Sequence, residues 1–211
     1  MTSLYLVRHG ETDWNAQRRI QGSTDIPLNE TGRMQAETTG ALLARRQWDG
    51  IYASPLSRAV ETASIIAAAV GLGRPQTISA IVERNYGEAE GLNWDQIERE
   101  FPGDTPVPGR ETHVEVAERV LPALVSLAVS RPGESLIVVT HGGVIRSVVG
   151  VVAPSQTYGA ITNGSIHSFE LVDGSLELVA FDDPIDEESL VCGTDDLDEQ
   201  NAIESRETLR S

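Results

Sequence analysis

Five residues of this sequence have side chains that could take part in one chemical reaction: Arg8, His9, Arg58, Glu83 and His141. A neutral histidine nitrogen is a competent nucleophile, and His9 is the candidate for that role. Arg8, Arg58 and a protonated His141 could neutralise phosphate oxygens, because a guanidinium binds two such oxygens at once. Glu83 could give a proton to a leaving oxygen and then activate a water molecule. Phosphoryl transfer without a metal ion needs all three functions, so these residues predict a site for a phosphate monoester.

Each candidate lies after a predicted strand or at the start of a predicted helix. Short buried strands at 3–8 and 135–140 place His9 and His141 directly after their carboxyl ends. Arg58 opens the helix after the second strand, and Glu83 follows a weaker third strand. The predicted elements are strands at 3–8, 50–54, 76–80 and 135–140, helices at 30–46, from Pro55 to Val70, from Asn93, from Thr112 to Ser130 and from His141 to Val152, and a hairpin at 165–181 whose turn is Asp173-Gly174.

This alternation of strands and helices predicts an α/β fold. Strands that alternate with helices pair in parallel and carry helices on both faces of the sheet, whereas the terminal hairpin adds antiparallel pairing at one edge. We therefore expect a three-layer α/β/α sandwich with a mostly parallel central sheet and an antiparallel edge. In such sheets the ligand crevice lies at the carboxyl ends of the strands. The candidate residues, which come from four separate segments, should meet there.

The composition indicates one domain followed by an acidic tail. The chain has 211 residues, of which 40% are hydrophobic, and a mean hydropathy of −0.18, which suits a single folded domain. We assign the domain to residues 1–181 and interpret residues 182–211, with 11 acidic residues and two arginines, as a flexible tail. The formal net charge of −16 argues against nucleic acid and anionic membranes as partners.

Other compositional features narrow the location and the chemistry. No apolar run is long enough to cross a bilayer and the first residues include no basic leader, so we expect a cytoplasmic protein. Cys192 is the only cysteine, which excludes a disulfide framework and a zinc site built from cysteines. All 16 basic residues are arginines, and the lack of lysine excludes chemistry that depends on a lysine amine.

Four sequence blocks resemble the histidine phosphatase superfamily, which also contains the cofactor-dependent phosphoglycerate mutases. The blocks are LVRHGETDWN at 6–15, SPLSRAVETA at 54–63, VERNYGEAEG at 82–91 and VTHGGVIR at 139–146. They occur in the order and at spacings typical of the family, and the resemblance covers residues 3–181. One RHG tripeptide would be weak support, whereas four ordered blocks are specific.

The resemblance implies a role for each candidate residue. It implies that His9 accepts the phosphoryl group and that Glu83 is the proton donor. The remaining implied site residues are Arg8, Arg58, His141, Asn15 and the backbone amide of Gly142 around the phosphate, with Gln21 and Gly22 beside the rest of the substrate. The family reaction forms a phosphohistidine that water then hydrolyses, without a metal ion or an organic cofactor. The expected partner is a small phosphate ester.

The resemblance favours the phosphatase branch over the mutases. The mutases have a longer insertion after the glutamate block, whereas the corresponding segment 92–110 is short and contributes only Arg99 and Arg110. The block VPGRET at 107–112 resembles a PGGES-like pattern in which Arg110 replaces a glycine, so we assign Arg110 to substrate binding. A phosphoglycerate mutase is the alternative, and a non-catalytic protein that binds a phosphorylated ligand or partner is a second one. The physiological substrate stays open.

Simpler interpretations exist for several residues. Arg58 could form a surface salt bridge with Glu61, since a cation at a helix start is unfavourable for the helix dipole. His113, in the first turn of a predicted helix, is expected to be a solvated surface residue, and His167 is expected to pack or lie exposed in an edge strand. The terminal hairpin also offers an edge through which a homodimer could form.

Overall fold

The computed structural model describes residues 1–155 and 157–185, and its centre is a six-stranded sheet with the strand order β3-β2-β4-β1-β5-β6. The strands are β1 (Ser3–Arg8), β2 (Gly50–Ala53), β3 (Gln76–Thr77), β4 (Ser135–Thr140), β5 (Ile166–Val172) and β6 (Ser175–Ala180). The helices are α1 (Asp13–Ala16), α2 (Glu30–Leu43), α3 (Ser57–Val70), α4 (Trp94–Glu100), α5 (His113–Ser130) and α6 (Gly142–Val152). Two 3-10 turns, Ser79–Ile81 and Gly87–Ala89, lie between β3 and α4.

Strands β1 and β4 lie side by side in the middle of the sheet. They are parallel, and Arg8 pairs with Thr140, so both strands end at the same level. Strand β2 is parallel to β4 and β3 to β2, whereas β5 is antiparallel to β1 and β6 to β5. The predicted α/β fold, with a mostly parallel sheet and an antiparallel edge, is confirmed.

Helices cover both faces of the sheet, and each face has its own hydrophobic cluster. Because successive side chains of a strand point to opposite faces, Leu6 belongs to one cluster and Val7 to the other. The cluster on the first face includes Leu6, Val138, Val120, Leu124 and Val148, which come from β1, β4, α5 and α6. The cluster on the second face includes Val7, Val139, Leu43, Ala63 and Ile66, which come from β1, β4, α2 and α3. This arrangement gives the predicted three layers.

The third strand is shorter than the predicted 76–80. Only Gln76–Thr77 pairs with β2, and both residues are exposed at the sheet edge. The chain then enters the turn Ser79–Ile81, and Ile81 is fully buried in the cluster beneath α5. Burial of Ile81 thus directs the chain away from the edge and towards the carboxyl ends of the central strands.

Helix ends follow local signals in the sequence. The capping boxes at Asn93 and Thr112 form as predicted, and α3 ends at Gly71, whose φ of 74° is left-handed. Helix α2 ends at Leu43 rather than at residue 46, because the amides of Arg45 and Arg46 bond to carbonyls three residues back in a tighter turn. Within residues 1–155 and 157–185, no helix is both long and apolar enough to cross a membrane.

The hairpin has the predicted turn, and the residues after it pack on the domain. Asp173 and Gly174 have φ values of 49° and 83°, which a two-residue hairpin turn of this kind requires. Ile185 is buried in the cluster beneath α2 and α3, and its carbonyl accepts a hydrogen bond from Arg46. The amides of Asp182 and Asp183 also donate to the His167 ring and to the carbonyl of Ile166, so the start of the predicted acidic tail contacts the folded domain. The remainder of that tail, residues 186–211, lies outside the described residues.

Candidate active site

The structure brings Arg8, His9, Arg58, Glu83 and His141 to the carboxyl edge of the central strands. Arg8 ends β1, and the amide of His9 still bonds to the carbonyl of Thr140 at the end of β4. His141 follows β4 and caps α6, whereas Arg58 lies in the first turn of α3. All five side chains are at most 2% exposed. Charged groups are seldom buried without partners, so this cluster is a site that the rest of the fold must stabilise.

The imidazole of His9 is fixed by two hydrogen bonds. Its Nδ1 lies 2.7 Å from the carbonyl oxygen of Gly10; because a carbonyl only accepts, Nδ1 carries the proton and donates it. The Nε2 atom then has the free lone pair, which accepts a hydrogen bond of 3.2 Å from Nε of Arg58. Burial, and then the charges of Arg58 and Arg8, lower the pKa of His9 well below its usual value of 6.5. His9 is therefore neutral at neutral pH, with Nε2 facing the cationic groups.

Arg58 joins the histidine to the loop that follows α1. Its NH1 and NH2 groups donate to the carbonyl oxygens of Thr24 and Gly22, at 2.8 and 2.7 Å. Burial lowers the pKa of Arg58 to about 10, and the nearby carboxylate of Glu83 acts in the opposite direction, so the guanidinium is charged at neutral pH. The simpler alternative, a surface salt bridge between Arg58 and Glu61, is wrong. Glu61 pairs instead with Arg33 at 2.7 Å, and Arg58 faces the interior because its hydrogen-bond partners lie there.

Arg8 and the start of α6 approach each other closely. NH1 of Arg8 donates to the carbonyl oxygen of Ile161 at 2.5 Å. A β-carbon on Gly142 would lie 3.4 Å from Nε of Arg8, an ordinary van der Waals distance, so the start of α6 lies directly against the guanidinium. The amino terminus of an α-helix favours anions. The backbone amides of α6 and the side chain of Arg8 therefore face the same part of the site.

His141 lies against His9, with 5.1 Å between the ring centroids. Its Nε2 is 2.7 Å from Oγ of Ser54, whereas its buried Nδ1 has no hydrogen-bond partner among the described residues. Burial, followed by the charge of Arg58, lowers the pKa of His141 well below 6.5. In the protein by itself, burial and neighbouring cations therefore favour the neutral ring, and a protonated His141 beside a bound phosphate stays a prediction. A phosphate dianion beside the ring would favour protonation.

Glu83 is held by backbone amides on both of its carboxylate oxygens. Oε1 accepts a hydrogen bond of 2.8 Å from the amide of Arg84, and Oε2 accepts one of 3.3 Å from the amide of Gly143. Gly143 is the second residue of α6, so the carboxylate lies beside the same helix start that Arg8 contacts. Two other glutamates of the same segment, Glu88 and Glu90, are placed differently. Glu88 is exposed, and Glu90 accepts hydrogen bonds from Ser23 and Thr24 in the loop after α1.

The loop residues implied by the resemblance lie beside this cluster. Oγ of Thr12 donates to Oε1 of Gln21 at 2.8 Å, and the side chain of Asn15 forms a capping box with Thr12. Nε2 of Gln21 is buried and has no partner in the described part of the chain. Gly22 has a φ of 55°, and a β-carbon there would lie 2.1 Å from the carboxylate of Glu90. The left-handed φ favours glycine in this turn, whose carbonyl accepts a hydrogen bond from Arg58.

Arg110 lies in a different environment from the other candidates. It forms an isolated antiparallel bridge with Tyr86, and its guanidinium carbon lies 5.6 Å from the centre of the Tyr86 ring. Arg84 lies over the same ring at 5.1 Å. The contacts with Tyr86 thus connect Arg110 to the segment that follows Glu83. The role of Arg110 in substrate binding stays a prediction.

Several polar residues that contact the site were not among the predicted site residues. Ser54 contacts His141, and Asn163 donates to the carbonyl oxygen of His9 at 2.8 Å. Ser54 lies within the block at 54–63 that resembles the family, so its position in that block was the available signal. Arg119 bonds to the backbone carbonyl of Glu83 at 3.1 Å, and no spacing or motif in the sequence indicates this contact.

The two remaining described histidines are both engaged in hydrogen bonds. The expectation that His113 is solvated is wrong: the residue is half-buried, and its ring lies 2.9 Å from Oγ of Ser147 and 3.0 Å from NH1 of Arg84. The ring is half-buried because its hydrogen-bond partners, Ser147 on α6 and Arg84 next to Glu83, lie on the inner side of α5. His167 is packed, as one of its two predicted alternatives states, but β5 is not the edge strand. Its ring is fully buried, and burial lowers its pKa to about 3.

The fold and the cluster of two histidines, two arginines and one glutamate define a class of phosphoryl-transfer proteins. The chain belongs to the histidine phosphatase superfamily (branch 1), whose sequence profile matches residues 4–184. Within residues 1–155 and 157–185, no group of three or more histidine, cysteine, aspartate or glutamate side chains is arranged to hold a metal ion.

The chain is similar to relatives that are named as phosphatases and as mutases. It is 40% identical to the uncharacterized phosphatase PhoE of Bacillus subtilis, over 71% of this chain and 76% of that protein. It is 34% identical to a metal-independent phosphoserine phosphatase of Arabidopsis thaliana, over 82% and 78%. It is also 33% identical to a 2,3-bisphosphoglycerate-dependent phosphoglycerate mutase of Methylorubrum extorquens, over 81% and 85%.

A solved structure supports the same relationship. The structure of a mycobacterial glucosyl-3-phosphoglycerate phosphatase in complex with VO3 superposes with a TM-score of 0.77 at 29% identity. The match covers 85% of this chain and 98% of that one.

Proposed function

We propose that this protein is a metal-independent phosphatase that hydrolyses small phosphate monoesters through a phosphohistidine on Nε2 of His9. The observation that carries the proposal is the fixed imidazole, with its proton on Nδ1 and its Nε2 lone pair next to two buried arginines. A neutral imidazole in a cationic pocket combines a nucleophile with charge neutralisation for the phosphoryl oxygens.

In the first step, Nε2 of His9 attacks phosphorus as the bond to the ester oxygen breaks. The Nε–H of Arg58 that bonds to Nε2 would turn to a phosphoryl oxygen, which releases the lone pair for attack. Arg8 and the amide of Gly142 bind the other oxygens. The negative charge of the bound phosphate favours protonation of the His141 ring. The electrons of the broken P–O bond stay on the ester oxygen. This oxygen takes the proton of Glu83, so the leaving group departs as an alcohol.

In the second step, water replaces the alcohol. The Glu83 carboxylate takes a proton from the water as its oxygen attacks phosphorus, and the P–N bond electrons return to Nε2. Inorganic phosphate is released, and both His9 and Glu83 are restored. Asn15, Gln21 and Gly22 would contact the substrate, and the buried Nε2 of Gln21, which lacks a partner among the described residues, is suited to donate to one of its oxygens.

The relatives support hydrolysis of a small substrate. One relative is named as a metal-independent phosphoserine phosphatase, and one structural neighbour as a phosphatase of a glucosylated phosphoglycerate. The shared part of these substrates is a phosphate monoester on a small, polar and anionic molecule. We therefore place the substrate of this protein in that chemical class.

A panel of phosphate esters tests the proposal in the presence of EDTA. We expect phosphate release from small esters, with no loss when EDTA is added, since side chains and backbone amides neutralise the phosphate. Marked loss of activity with the chelator would contradict the metal-independent mechanism. Failure to release phosphate from any ester in a broad panel would contradict the hydrolase.

Phosphoglycerate mutase activity is the second candidate, because a mutase shares 33% identity over 187 residues. The two activities differ in what becomes of the phosphoryl group. Incubation with 3-phosphoglycerate and 2,3-bisphosphoglycerate would give isomerisation without net phosphate release for a mutase, and net phosphate for a phosphatase. We expect net release, since the segment 92–110 contributes only Arg99 and Arg110 as cations for a phosphoglycerate carboxylate.

A further inference from the structure

Glu83 lies on a segment without regular secondary structure. Residues 82–85 belong to neither a helix nor a strand, yet Glu83 and Arg84 are almost fully buried. Buried backbone groups must find hydrogen-bond partners. The partners of this segment therefore decide where the Glu83 carboxylate lies.

Arg119, on α5, supplies the partners of two carbonyls of this segment, those of Val82 and Glu83. A guanidinium has five N–H donors, and those of Arg119 account for five hydrogen bonds. Three go to the backbone carbonyls of Ala80, Val82 and Glu83, at 2.7, 2.8 and 3.1 Å. The other two go to the two carboxylate oxygens of Glu111, at 2.9 and 3.0 Å. One side chain thus binds the backbone at three points between the 3-10 turn and Glu83.

Glu111 extends this contact to the other side of Glu83. Its Oε2 also accepts a hydrogen bond of 2.7 Å from the amide of Asn85, and its own amide donates to the carbonyl of Asn85 at 2.8 Å. Its carbonyl accepts from Nε of Arg84 at 2.7 Å. Burial alone would raise the pKa of Glu111, but the hydrogen bonds from Arg119 and from the Asn85 amide outweigh it and lower the pKa. The Glu111 carboxylate is therefore ionised at neutral pH.

We propose that Arg119 and Glu111 form a positioning pair that fixes the backbone of the proton donor Glu83 from both sides. The catalytic role of the pair rests on the function proposed above for Glu83. Arg119 acts through Glu83, because its donors are used on the protein backbone and on Glu111. A general acid must lie within hydrogen-bond reach of the leaving oxygen, and a displacement of about 1 Å can cost roughly 100-fold in rate.

Two ester substrates separate positioning from general damage. In Arg119→Met, we expect kcat on an alkyl phosphate to fall by at least about 10-fold more than kcat on p-nitrophenyl phosphate, because only the poor leaving group needs a well-placed proton. KM should change little, since the phosphate pocket is built from β1, α3 and α6. Arg119→Lys keeps the charge but has three donors instead of five, so it should recover only part of the loss.

Arg131→Met is the matched control. Arg131 also joins a carboxylate, that of Glu134, to a backbone carbonyl, that of Asp49, and the exposure of this pair, 32% and 30%, is close to the 25% and 26% of Arg119 and Glu111. It lies at the opposite edge of the sheet, where β2 and β4 begin. We expect this variant to lower kcat on both esters to the same small extent.

Amide hydrogen exchange tests the pair without any turnover. In Arg119→Met the amides of residues 82–85 should exchange at least about 10-fold faster than in the unmodified protein, whereas Arg131→Met should leave them unchanged. Unchanged exchange in Arg119→Met, or equal loss of kcat on both esters, would overturn the proposal. If the unmodified protein hydrolysed no ester, the proposed function would fail, and exchange alone would still decide whether Arg119 and Glu111 fix the segment.

Discussion

At the scale of single residues, the imidazole of His9 has the tautomer, the burial and the neighbours that attack on phosphorus requires. Its Nδ1 proton is committed to Gly10, and its lowered pKa keeps Nε2 unprotonated at neutral pH. His9→Ala removes this atom, so we expect kcat to fall by roughly 10⁴-fold or more, the scale of losses when a covalent nucleophile is removed. Steady-state hydrolysis of p-nitrophenyl phosphate measures the loss.

The fold of the His9→Ala variant should survive, because the site lies at the end of the sheet and outside both hydrophobic clusters. Circular dichroism and the urea midpoint are the controls. Substantial turnover by a folded variant would contradict the phosphohistidine. Acid-labile radioactive phosphate on the unmodified protein, absent from the variant, would support it directly.

Glu83→Gln separates the proton donor from the phosphate pocket. Glutamine keeps the size of the side chain and can still accept, through its single amide oxygen, from the amide of Arg84 or of Gly143, but it has no acidic proton. We expect a loss of about 10²–10⁴-fold on an alkyl phosphate, the range of general acid catalysis, and a much smaller loss on p-nitrophenyl phosphate. Equal losses on the two esters would assign Glu83 to some other role.

At the scale of elements, the start of α2 touches the backbone that follows His9. A β-carbon on Gly32 would lie 2.1 Å from the carbonyl oxygen of Glu11, and one on Gly10 would lie 2.2 Å from the carbonyl oxygen of Gly32. Neither backbone can accept a side chain at this distance. The position of His9 therefore depends on a helix that supplies none of the candidate catalytic side chains.

Gly32→Ala tests this dependence. We expect an unfolding free energy lower by about 1–3 kcal/mol, the usual cost of an overpacked contact, together with reduced kcat, because the loop after His9 must move. Gly150→Ala in α6 is the matched control, since a β-carbon there meets no atom within 4 Å. Alanine at that exposed helical position should stabilise by up to about 1 kcal/mol. Urea unfolding and kcat are measured for both variants. Equal changes in unfolding free energy and kcat in the two variants would contradict the dependence of the His9 loop on the close contact with Gly32.

The elements and their ends were predictable where the sequence carries a local pattern. Buried strands β1 and β4 are continuous apolar runs, and the residues after them were predicted to meet at one sheet edge, as the structure has them. Strand β3 was predicted too long because its two paired residues are exposed, so no alternation of apolar and polar residues marks its end. The contacts of Arg119 could not be predicted, since they join a helix to carbonyls 36 and 37 positions away.

At the scale of the whole molecule, the buried histidines make stability depend on pH. His9, His141 and His167 each have a folded pKa below the unfolded value of about 6.5. A histidine of this kind contributes stability that is complete above pH 6.5 and is lost as the pH falls towards the folded pKa, because the unfolded chain binds the proton first. The protein should therefore become less stable between pH 7.5 and pH 5.5.

His167→Gln isolates one of these contributions away from the site. His167 has a folded pKa of about 3, so its ring stays neutral in the folded protein at both pH values. Protonation of His167 in the unfolded chain should lower the unfolding free energy by about 1.4 kcal/mol between pH 7.5 and pH 5.5, which is the value of one pKa unit. The variant should therefore lose about that much less unfolding free energy than the unmodified protein over the same interval. Urea denaturation at the two pH values gives the difference, and an unchanged difference would refute the assignment.

Arg58 and Glu83 depend on opposite layers of the sandwich, although α6 also contributes the amide of Gly142 to the proposed phosphate pocket. Arg58, on the phosphate side, comes from α3 on one face of the sheet, whereas Glu83, on the leaving-group side, is held by α5 and α6 on the other face. Changes in the segments that surround the leaving group can therefore accumulate in evolution without disturbing the packing behind Arg58. A descendant of this gene could thus acquire a new substrate while it keeps the inherited chemistry at His9.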